Sequence, residues 1–186
     1  MKNPYTIGKK VYLRHPTIQD AEGAWHEWLS DEETTRWLGL RNWPNSVEKQ
    51  KEFYEKSIQT QERLILSIID ISTNDHIGIC SLSSINWVHR YCDIAIIIGK
   101  KKFRKGPHYL EAMSLLLRTA FLRLNLRLVK SAFVSSNEAT KVMHQLFRFN
   151  EVGRIPKMYW DKGEYVDYII AALGRSEWLK KNNIKK

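Results

Sequence analysis

Three consecutive segments at the centre of the chain constrain its fold most: a buried strand, a basic loop and an amphipathic helix. Asp93–Ile98 is rich in β-branched residues, which is typical of a buried strand. Residues 100–105 read Lys-Lys-Lys-Phe-Arg-Lys, and Pro107 then suits the first turn of a helix. The apolar positions that follow share one helical face; they are Leu110, Met113, Leu117, Ala120, Phe121 and Leu124.

Strand and helix patterns also alternate along the rest of the chain. Further strands are predicted at Val11–Arg14, Arg63–Asp70, His76–Ile85, Leu126–Val134, Glu151–Trp160 and Glu164–Leu173. Further helices are predicted at Ile18–Leu29, at Glu32–Leu38, from Ser46 to about Gln59, and at Asn137–Phe149. No internal repeat, low-complexity segment or linker divides the sequence. This order predicts one α/β domain with a mixed, largely antiparallel sheet.

Net charge is the one unusual feature of the composition. The 186 residues include 30 Lys and Arg against 20 Asp and Glu, a formal net charge of +10. This excess indicates an anionic partner: a nucleic acid, a membrane surface or a phosphorylated small molecule. The apolar runs are too short to span a membrane, Met1–Lys10 lacks the apolar centre of a secretory signal, and two cysteines cannot build a disulfide framework. We therefore expect a cytoplasmic protein with no membrane partner.

The distribution of this charge narrows the class of partner. Asp20–Glu33 contains six acids and no Lys or Arg, whereas the basic run 100–105 precedes a predicted helix start. Cations beside the free N–H groups of a helix N-terminus form an anion site, although a solvated basic surface is the alternative. The sequence has no nucleic-acid-binding signature, so a phosphorylated cofactor is favoured over a nucleic acid. The basic tail 179–186 is interpreted as a solvated, frayed end.

Four segments carry a resemblance to a known family; they are Val11–Ala21, the strand, loop and helix from Asp93 to Ala112, Asn137–Gly153, and Gly163–Asp167 followed by Glu177-Trp178. In order and spacing they resemble the GNAT family of N-acetyltransferases, in particular the branch of ribosomal-protein N-terminal acetyltransferases and spermidine acetyltransferases. The resemblance covers roughly residues 11–178. It implies a single GNAT-like domain over residues 1–186, with a mixed, mostly antiparallel sheet of about seven strands and helices on both faces.

The resemblance implies acetyl-CoA as co-substrate and no metal. In this family the backbone amides of a loop after a splayed strand hold the pyrophosphate of coenzyme A at a helix N-terminus. Here that loop is Phe103–Tyr109, and the bases beside it would attract the pyrophosphate and the 3′-phosphate. The residues that the resemblance places at the cofactor are Ile96, Ile98, Phe103, Arg104, Lys105, Gly106, Pro107, His108, Tyr109, Asn137 and Thr140.

The cofactor loop departs from the family pattern at two positions. An alignment on Glu111-Ala112 puts Pro107 and Tyr109 where the family has Gly or Ala. Proline removes an N–H donor, and a tyrosine side chain hinders the close backbone approach that glycine allows. Gly106 lies one position early, so a shifted register would restore the cradle. The alternatives are a remodelled loop, in which Lys and Arg replace amide contacts, and weakened or lost cofactor binding.

The resemblance also implies roles at the reacting centre. The family commonly polarises the thioester carbonyl with a backbone N–H of the splayed strand, here within Ile96–Ile98. A Tyr often protonates the departing sulfur, and His144 occupies its position; the alternative is a polar residue on the exposed side of the helix. Asp93 is the predicted base, although relatives often deprotonate the amine through waters. Other acceptor-side candidates are Glu27, Asp31, Tyr91, Tyr159 and Trp160.

The sequence therefore predicts an acetyl-CoA-dependent N-acetyltransferase acting by direct attack in a ternary complex. Its acceptor is a small-molecule or peptide amine: a protein N-terminus, an amino sugar or another primary amine. The acidic segment Asp20–Glu33 would suit a cationic acceptor such as a polyamine. The alternative function is a GNAT-fold binding protein that has lost catalysis, which Pro107 and Tyr109 motivate. The histidines show no zinc spacing, and a homodimer is left open.

Overall fold

An eight-stranded sheet forms the centre of the protein. The computed structural model describes residues 1–39, 43–104 and 106–184, so Lys105 of the predicted cofactor loop lies outside the described residues, as do the last two residues of the tail. The strands are β1 Pro4–Ile7, β2 Val11–Arg14, β3 Leu64–Asp70, β4 His76–Asn86, β5 Tyr91–Ile98, β6 Leu128–Val134, β7 Asn150–Asp161 and β8 Glu164–Gly174.

The sheet contains one parallel pair, and this pair opens into a gap. The strand order is β1-β2-β3-β4-β5-β6-β8-β7, and all neighbours are antiparallel except β5 and β6. Pairing of β5 with β6 ends where Asp93 lies opposite Lys130. Since β5 continues to Ile98 and β6 to Val134, the two strands part beyond this point. We call the resulting gap between Ile94–Ile98 and the end of β6 the fork.

The helices are α1 Ile18–Asp20, α2 His26–Ser30, α3 Glu32–Thr35, α4 Val47–Ile58, α5 Pro107–Arg118, α6 Glu138–Phe147 and α7 Arg175–Lys181. A π-helical segment, Ala21–Trp25, joins α1 to α2, and a second one, Thr119–Arg123, extends α5. Side chains that accept backbone N–H groups start four of the helices; they are Thr17, Asp31, Ser46 and Asn137. Within the described ranges, no helix is long and apolar enough to cross a membrane.

Helices cover both faces of the sheet, each over its own hydrophobic core. On the first face, α5 buries Leu116 and Leu117 in a core that includes Leu66 of β3. On the second face, α2 and the π-helical segment before it bury Trp25 and Trp28 against β3 and β4. We call these two sides the α5 face and the α2 face. The sheet therefore separates acidic and basic side chains on one face from those on the other face.

Side chains of β5 alternate between these faces, as in any strand. Ile98 belongs to the core on the α5 face. Ile97 pairs with Ile79, which belongs to the core on the α2 face. Asp93 and Ala95 are four and two residues from Ile97, so they point to the α2 face as well.

The predicted α/β fold, with a mixed, mostly antiparallel sheet and helices on both faces, is confirmed, but the sheet has eight strands in place of about seven. The additional strand is β1, a four-residue, largely exposed edge strand that is too short to show a period. The predicted helix Ile18–Leu29 is interrupted at Gly23, whose φ and ψ are not helical. The tail is not frayed from residue 179, because α7 continues to Lys181 and buries Leu179.

Candidate active site

A cleft of about 480 Å³ lies on the α5 face between the start of α5 and α6. Arg104 and Gly106 line one end, while Leu110, Val142 and Met143 supply apolar walls. The cleft thus combines a polar end at a helix start with a long apolar surface, which suits an elongated ligand carrying an anionic group. Of the residues assigned to the cofactor from sequence, those in this lining are Arg104, Gly106, Tyr109 and Thr140.

The start of α5 offers backbone donors to this cleft. Gly106 precedes the helix with a φ of 152°, a conformation that favours glycine, and no side chain caps α5. Pro107 is the first helical residue, where a missing N–H breaks no helical hydrogen bond. The first-turn N–H groups of His108 and Tyr109 remain as donors. Burial raises the pKa of Tyr109 to about 12, because its ring packs against the core.

The backbone of β5 presents polar groups to the fork. The Gly99 N–H donates to the Ile77 carbonyl of β4 at 3.0 Å. Because backbone groups alternate sides along a strand, those of Ile98 and Ile96 point away from β4 and into the fork. The Ile98 carbonyl accepts a hydrogen bond from Arg104 Nε at 3.1 Å. Ile96 therefore places its N–H in the fork without a strand opposite.

His108 points away from the cleft, towards the end of β3. Its Nε2 lies 2.9 Å from the Asp70 carboxylate, and its ring meets Phe103 edge-on with centroids 4.7 Å apart. Burial alone would raise the pKa of Asp70, but hydrogen bonds from Ser72, Thr73 and His108 hold it well below its usual range. His108 and Phe103 thus fix the loop from behind and do not belong to the cleft lining.

Glu111 is a residue whose role the sequence did not reveal. Its carboxylate accepts backbone N–H groups from Lys9 at 2.7 Å, Lys10 at 2.6 Å and Val11 at 2.8 Å. A Cβ at position 8 would lie 2.5 Å from the Glu111 carboxyl carbon, so any residue other than glycine there would displace this carboxylate. Glu111 therefore ties the first turns of α5 to the loop before β2. The signal was absent because the contact joins residues about a hundred positions apart.

The basic run meets the acidic segment in the folded chain. Arg104 donates to Thr34 Oγ1 at 2.5 Å and pairs with Glu33 at 3.0 Å. Lys101 also pairs with Glu33, at 2.5 Å. Lys100 lies 2.9 Å from Asp75. The cations expected to attract phosphate are thus already neutralised in part by acids of the same chain, although these pairs are mostly solvent-exposed and weak.

The acidic segment is similarly occupied. Asp20 receives both terminal nitrogens of Arg14, at 2.6 and 2.8 Å, and Glu22 pairs with Lys51 at 2.9 Å. Burial would raise the pKa of Asp20, but Arg14, His76 and Thr17 lower it to about 2. With Asp31 and Glu33 paired to the basic run, four of the six acids have basic partners. Glu27 is exposed on the surface of α2.

The α2 face of the fork is an open surface. Ala95 and Ala132 are exposed there although their strands lie at the centre of the sheet. Asp93 and Lys130 lie beside them at the point where the fork begins, with Oδ1 and Nζ 3.2 Å apart. Burial is the largest cause that raises the pKa of Tyr168 on the neighbouring strand β8, and Tyr159 and Asp93 raise it further. We call the surface formed by Ala95, Ala132, Asp93 and Lys130 the acceptor trough.

His144 lies inside α6 packing and not on the exposed side of the helix, so that alternative is wrong. It is 6% exposed, and its Nδ1 donates to the Thr140 carbonyl at 2.7 Å. Its ring stacks on Phe133 and meets Phe149 edge-on, with centroids 4.6 and 4.8 Å away. Burial lowers the pKa of His144, and its Nε2 has no hydrogen-bond partner among the described residues. The imidazole is therefore predominantly neutral at physiological pH.

Asn137, also buried, accepts the Thr140 N–H at 3.1 Å as the cap of α6. Burial raises the pKa of Cys92 to about 12 and also raises that of Cys80, so neither thiol is an activated nucleophile. Within residues 1–39, 43–104 and 106–184, no group of three His, Cys, Asp or Glu side chains is arranged to hold a metal ion. The polar groups described above around the fork thus include backbone amide donors, the Asp93–Lys130 ion pair and the buried imidazole of His144.

Comparisons with known proteins agree with this architecture. A family model described as an acetyltransferase (GNAT) domain matches residues 10–149. The spermidine N-acetyltransferase from Vibrio cholerae in complex with CoA and spermine is similar in structure, with a TM-score of 0.83 and 21% identity over 92% of this chain and 99% of that chain. A GNAT-family acetyltransferase from Bacillus anthracis has a TM-score of 0.77 and 17% identity over 92% and 99%.

A dodecameric form of the Vibrio cholerae enzyme gives a TM-score of 0.79 and 20% identity over 94% of this chain and 99% of that chain. None of the curated proteins matches the sequence. At such identities the solved structures show a shared fold and no more. The family model, in contrast, matches well over half of the sequence, and the chain belongs to the GNAT family of acetyl-CoA-dependent N-acetyltransferases.

Proposed function

We propose that the protein transfers an acetyl group from acetyl-CoA to a primary amine by direct attack in a ternary complex. The observation that carries this proposal is the fork, where β5 and β6 part between the face with the cleft and the face with the acceptor trough. A thioester reaching the fork from one face is open to an amine from the other. The new N–C bond forms as the C–S bond breaks, and the amine proton ends on sulfur or in solvent.

The start of α5 suits the pyrophosphate of the acyl donor. Gly106 and the N–H groups of the first turn supply the cradle, one position earlier than in the family pattern. The apolar walls from Leu110 to Met143 suit the pantetheine arm, and Thr140 offers it a hydroxyl. Pro107 and Tyr109 are compatible with this arrangement, because the proline begins the helix and the tyrosine ring packs inward. A remodelled loop therefore fits better than a lost site.

At the reacting centre, the Ile96 N–H is the donor proposed to polarise the thioester carbonyl. Asp93 is the proposed base, directly or through a water, because it stands on the acceptor side where the fork begins. Lys130 pairs with that carboxylate, its Nζ 3.2 Å from Oδ1. The role of His144 as acid stays a prediction, and its lowered pKa disfavours the imidazolium that the role needs.

Calorimetric titration with desulfo-CoA, followed by an amine screen that records release of the CoA thiol, tests the proposal. We expect saturable binding and thiol release with at least one primary amine. No detectable heat at near-millimolar desulfo-CoA would overturn it. Binding without thiol release from any amine would favour the second candidate, a GNAT-fold binding protein, which the two departures from the glycine pattern support.

Spermidine and spermine are named for the Vibrio cholerae neighbour, so a polyamine is the first acceptor to test. The dodecameric form of that neighbour likewise makes self-association of this chain an expectation, which sedimentation velocity would check. Neither property follows from a shared fold at about one-fifth identity.

A further inference from the structure

The charged groups at the start of the fork form one ion pair, Asp93 with Lys130, while Arg104 contacts Ile98 at the far end. These two residues are the last at which β5 and β6 pair, so their side chains stand where the fork begins. Both point to the α2 face, since Asp93 lies on the same side of β5 as Ile97 and contacts Lys130 directly. Their side chains are 40% and 38% exposed, so both remain accessible to a ligand in the acceptor trough.

The rest of the trough near this pair is uncharged. Ser83 and Ser81 face the same side from β4, opposite Asp93 and Ala95 respectively, and Ala132 follows Lys130 on β6. The ionisable neighbours are two tyrosines: Tyr91, whose ring lies 5.0 Å from Lys130 Nζ, and Tyr168. An acceptor in the trough therefore meets one carboxylate and one ammonium as its closest charges.

The acids that would attract a polycation are used elsewhere. Asp20 is buried against Arg14, and Asp31 and Glu33 lie against Lys101 and Arg104. Each of these acids already has a cation of the same chain beside it. Of the acids along α1 to α3, Glu27 and Glu32 have no basic partner among the described residues, so the free negative charge offered to a polyamine is reduced. A polyamine whose amine lies at Asp93 would also bring its remaining ammonium groups towards Lys130.

We propose that Lys130 selects acceptors that carry an anionic group beside the primary amine, and that it disfavours polyamines. This inference rests on the proposed function and names its acceptor class. The amine lies at the fork beside Asp93, and a carboxylate or phosphate a few atoms away binds Lys130 by a charge-assisted hydrogen bond. A second ammonium at that place is repelled, and like charges brought together at a recognition site are a common means of rejecting wrong ligands.

Matched amines with and without an anion test this assignment. Tyrosine against tyramine tests a carboxylate, glucosamine 6-phosphate against glucosamine tests a phosphate, and spermidine tests a polycation. Thiol release from acetyl-CoA gives kcat/KM for each amine with the wild-type protein, Lys130→Gln and Lys130→Glu. The control is Lys56→Gln, which removes an exposed, ion-paired lysine from α4, on a different element. Thermal unfolding verifies that each variant is folded.

We expect the wild type to prefer the anionic member of at least one pair by about tenfold, and Lys130→Gln to remove that preference. Lys130→Glu should shift selectivity towards spermidine, whereas Lys56→Gln should leave it unchanged. The pair that responds identifies the anion as carboxylate or phosphate. A wild-type preference for spermidine, or a ratio that Lys130→Gln leaves unchanged, would overturn the inference while the proposed function stands. Desulfo-CoA binding with no acetylation of these five amines would overturn it too, and absence of binding would remove the proposed function itself.

Discussion

The two sides of the fork are built in different ways. On the α5 face, the cofactor loop is tied down by contacts with distant segments: Arg104 to β5 and α3, His108 to Asp70, and Glu111 to the loop before β2. On the α2 face, the acceptor trough is open, small-residue surface with one exposed ion pair, Asp93–Lys130. A donor common to a whole family requires a fixed site, whereas an acceptor that differs among members requires few fixed groups.

This difference explains what each side reveals about function. The family model matches residues 10–149, a range that includes the cofactor loop although two small residues of that loop are replaced. On the open side, where the acceptor is proposed to bind, the charge differs from what the acidic segment suggested. Changes on the two sides should therefore have separable effects, on acyl-donor binding and on acceptor turnover.

Lowering the pH should have the largest effect, a loss of folding stability that arises at His76 on the α2 side. Burial lowers the pKa of His76 to about 4, although the Asp20 carboxylate opposes the shift. The unfolded chain therefore binds a proton near pH 6.5 before the folded protein does, so stability falls as pH decreases from 6.5 to 4, by about 3 kcal/mol. Urea unfolding at a series of pH values measures this loss, to which His144 contributes in the same direction.

His76→Gln should flatten that pH dependence, while His89→Gln, at an exposed histidine, should leave it as in the wild type. Equal slopes in the two variants would show that the burial of His76 is not what couples proton binding to folding. The loss of Asp20 ionisation belongs to a lower range, since its pKa is about 2 and its stabilisation disappears only below about pH 4.

Gly106→Val should disrupt the cofactor cleft on the α5 side. A valine cannot adopt a φ of 152° without strain, so the start of α5 should move and desulfo-CoA binding should weaken by about tenfold to a hundredfold. Gly163→Ala is the matched control, because Gly163 also has a positive φ, of 91°, but lies in the turn between β7 and β8. Both variants should unfold at lower temperature. Unchanged affinity in Gly106→Val would mean that Gly106 does not form the phosphate cradle.

Two identical substitutions should separate the sides most directly. Ala132→Leu fills the acceptor trough, so kcat/KM for the amine should fall by about tenfold with unchanged desulfo-CoA affinity. Ala139→Leu narrows the cofactor cleft, so desulfo-CoA affinity should fall while amine selectivity is kept. Steady-state kinetics with calorimetry measure both. If Ala132→Leu weakened desulfo-CoA binding as strongly as Ala139→Leu, the two sides would not be independent.

The sequence predicted those parts of the site that depend on local pattern. The β-branched run predicted β5, Pro107 predicted the start of α5, and the amphipathic pattern from Asn137 predicted α6. It could not predict contacts that depend on strand register and packing. Lys130 lies opposite Asp93 only because β5 and β6 are parallel neighbours, and Glu111 reaches Val11 only because α5 crosses β2.

The charge of the basic run shows the same limit, because its partners in the acidic segment lie about seventy positions away in sequence. Read alone, residues 100–105 indicated free cations for phosphate, and Asp20–Glu33 indicated free acids for a polyamine. In the folded chain each segment partly neutralises the other, through Arg104 and Glu33 among others. The net charge of a segment therefore does not show which of its charges remain free for a ligand.

His144→Leu should have the smallest effect. The neutral imidazole is held by Thr140 and two phenylalanine rings, and burial lowers its pKa, so it is a poor proton donor near neutral pH. We expect kcat to fall by less than about threefold, with the same dependence on pH between about 6 and 9 as the wild type. A fall of tenfold or more, together with a lost alkaline limb, would instead assign His144 as the acid for the departing thiolate. In that case the α5 side would supply a proton as well as a binding site, and chemistry would no longer be confined to the fork and the acceptor trough.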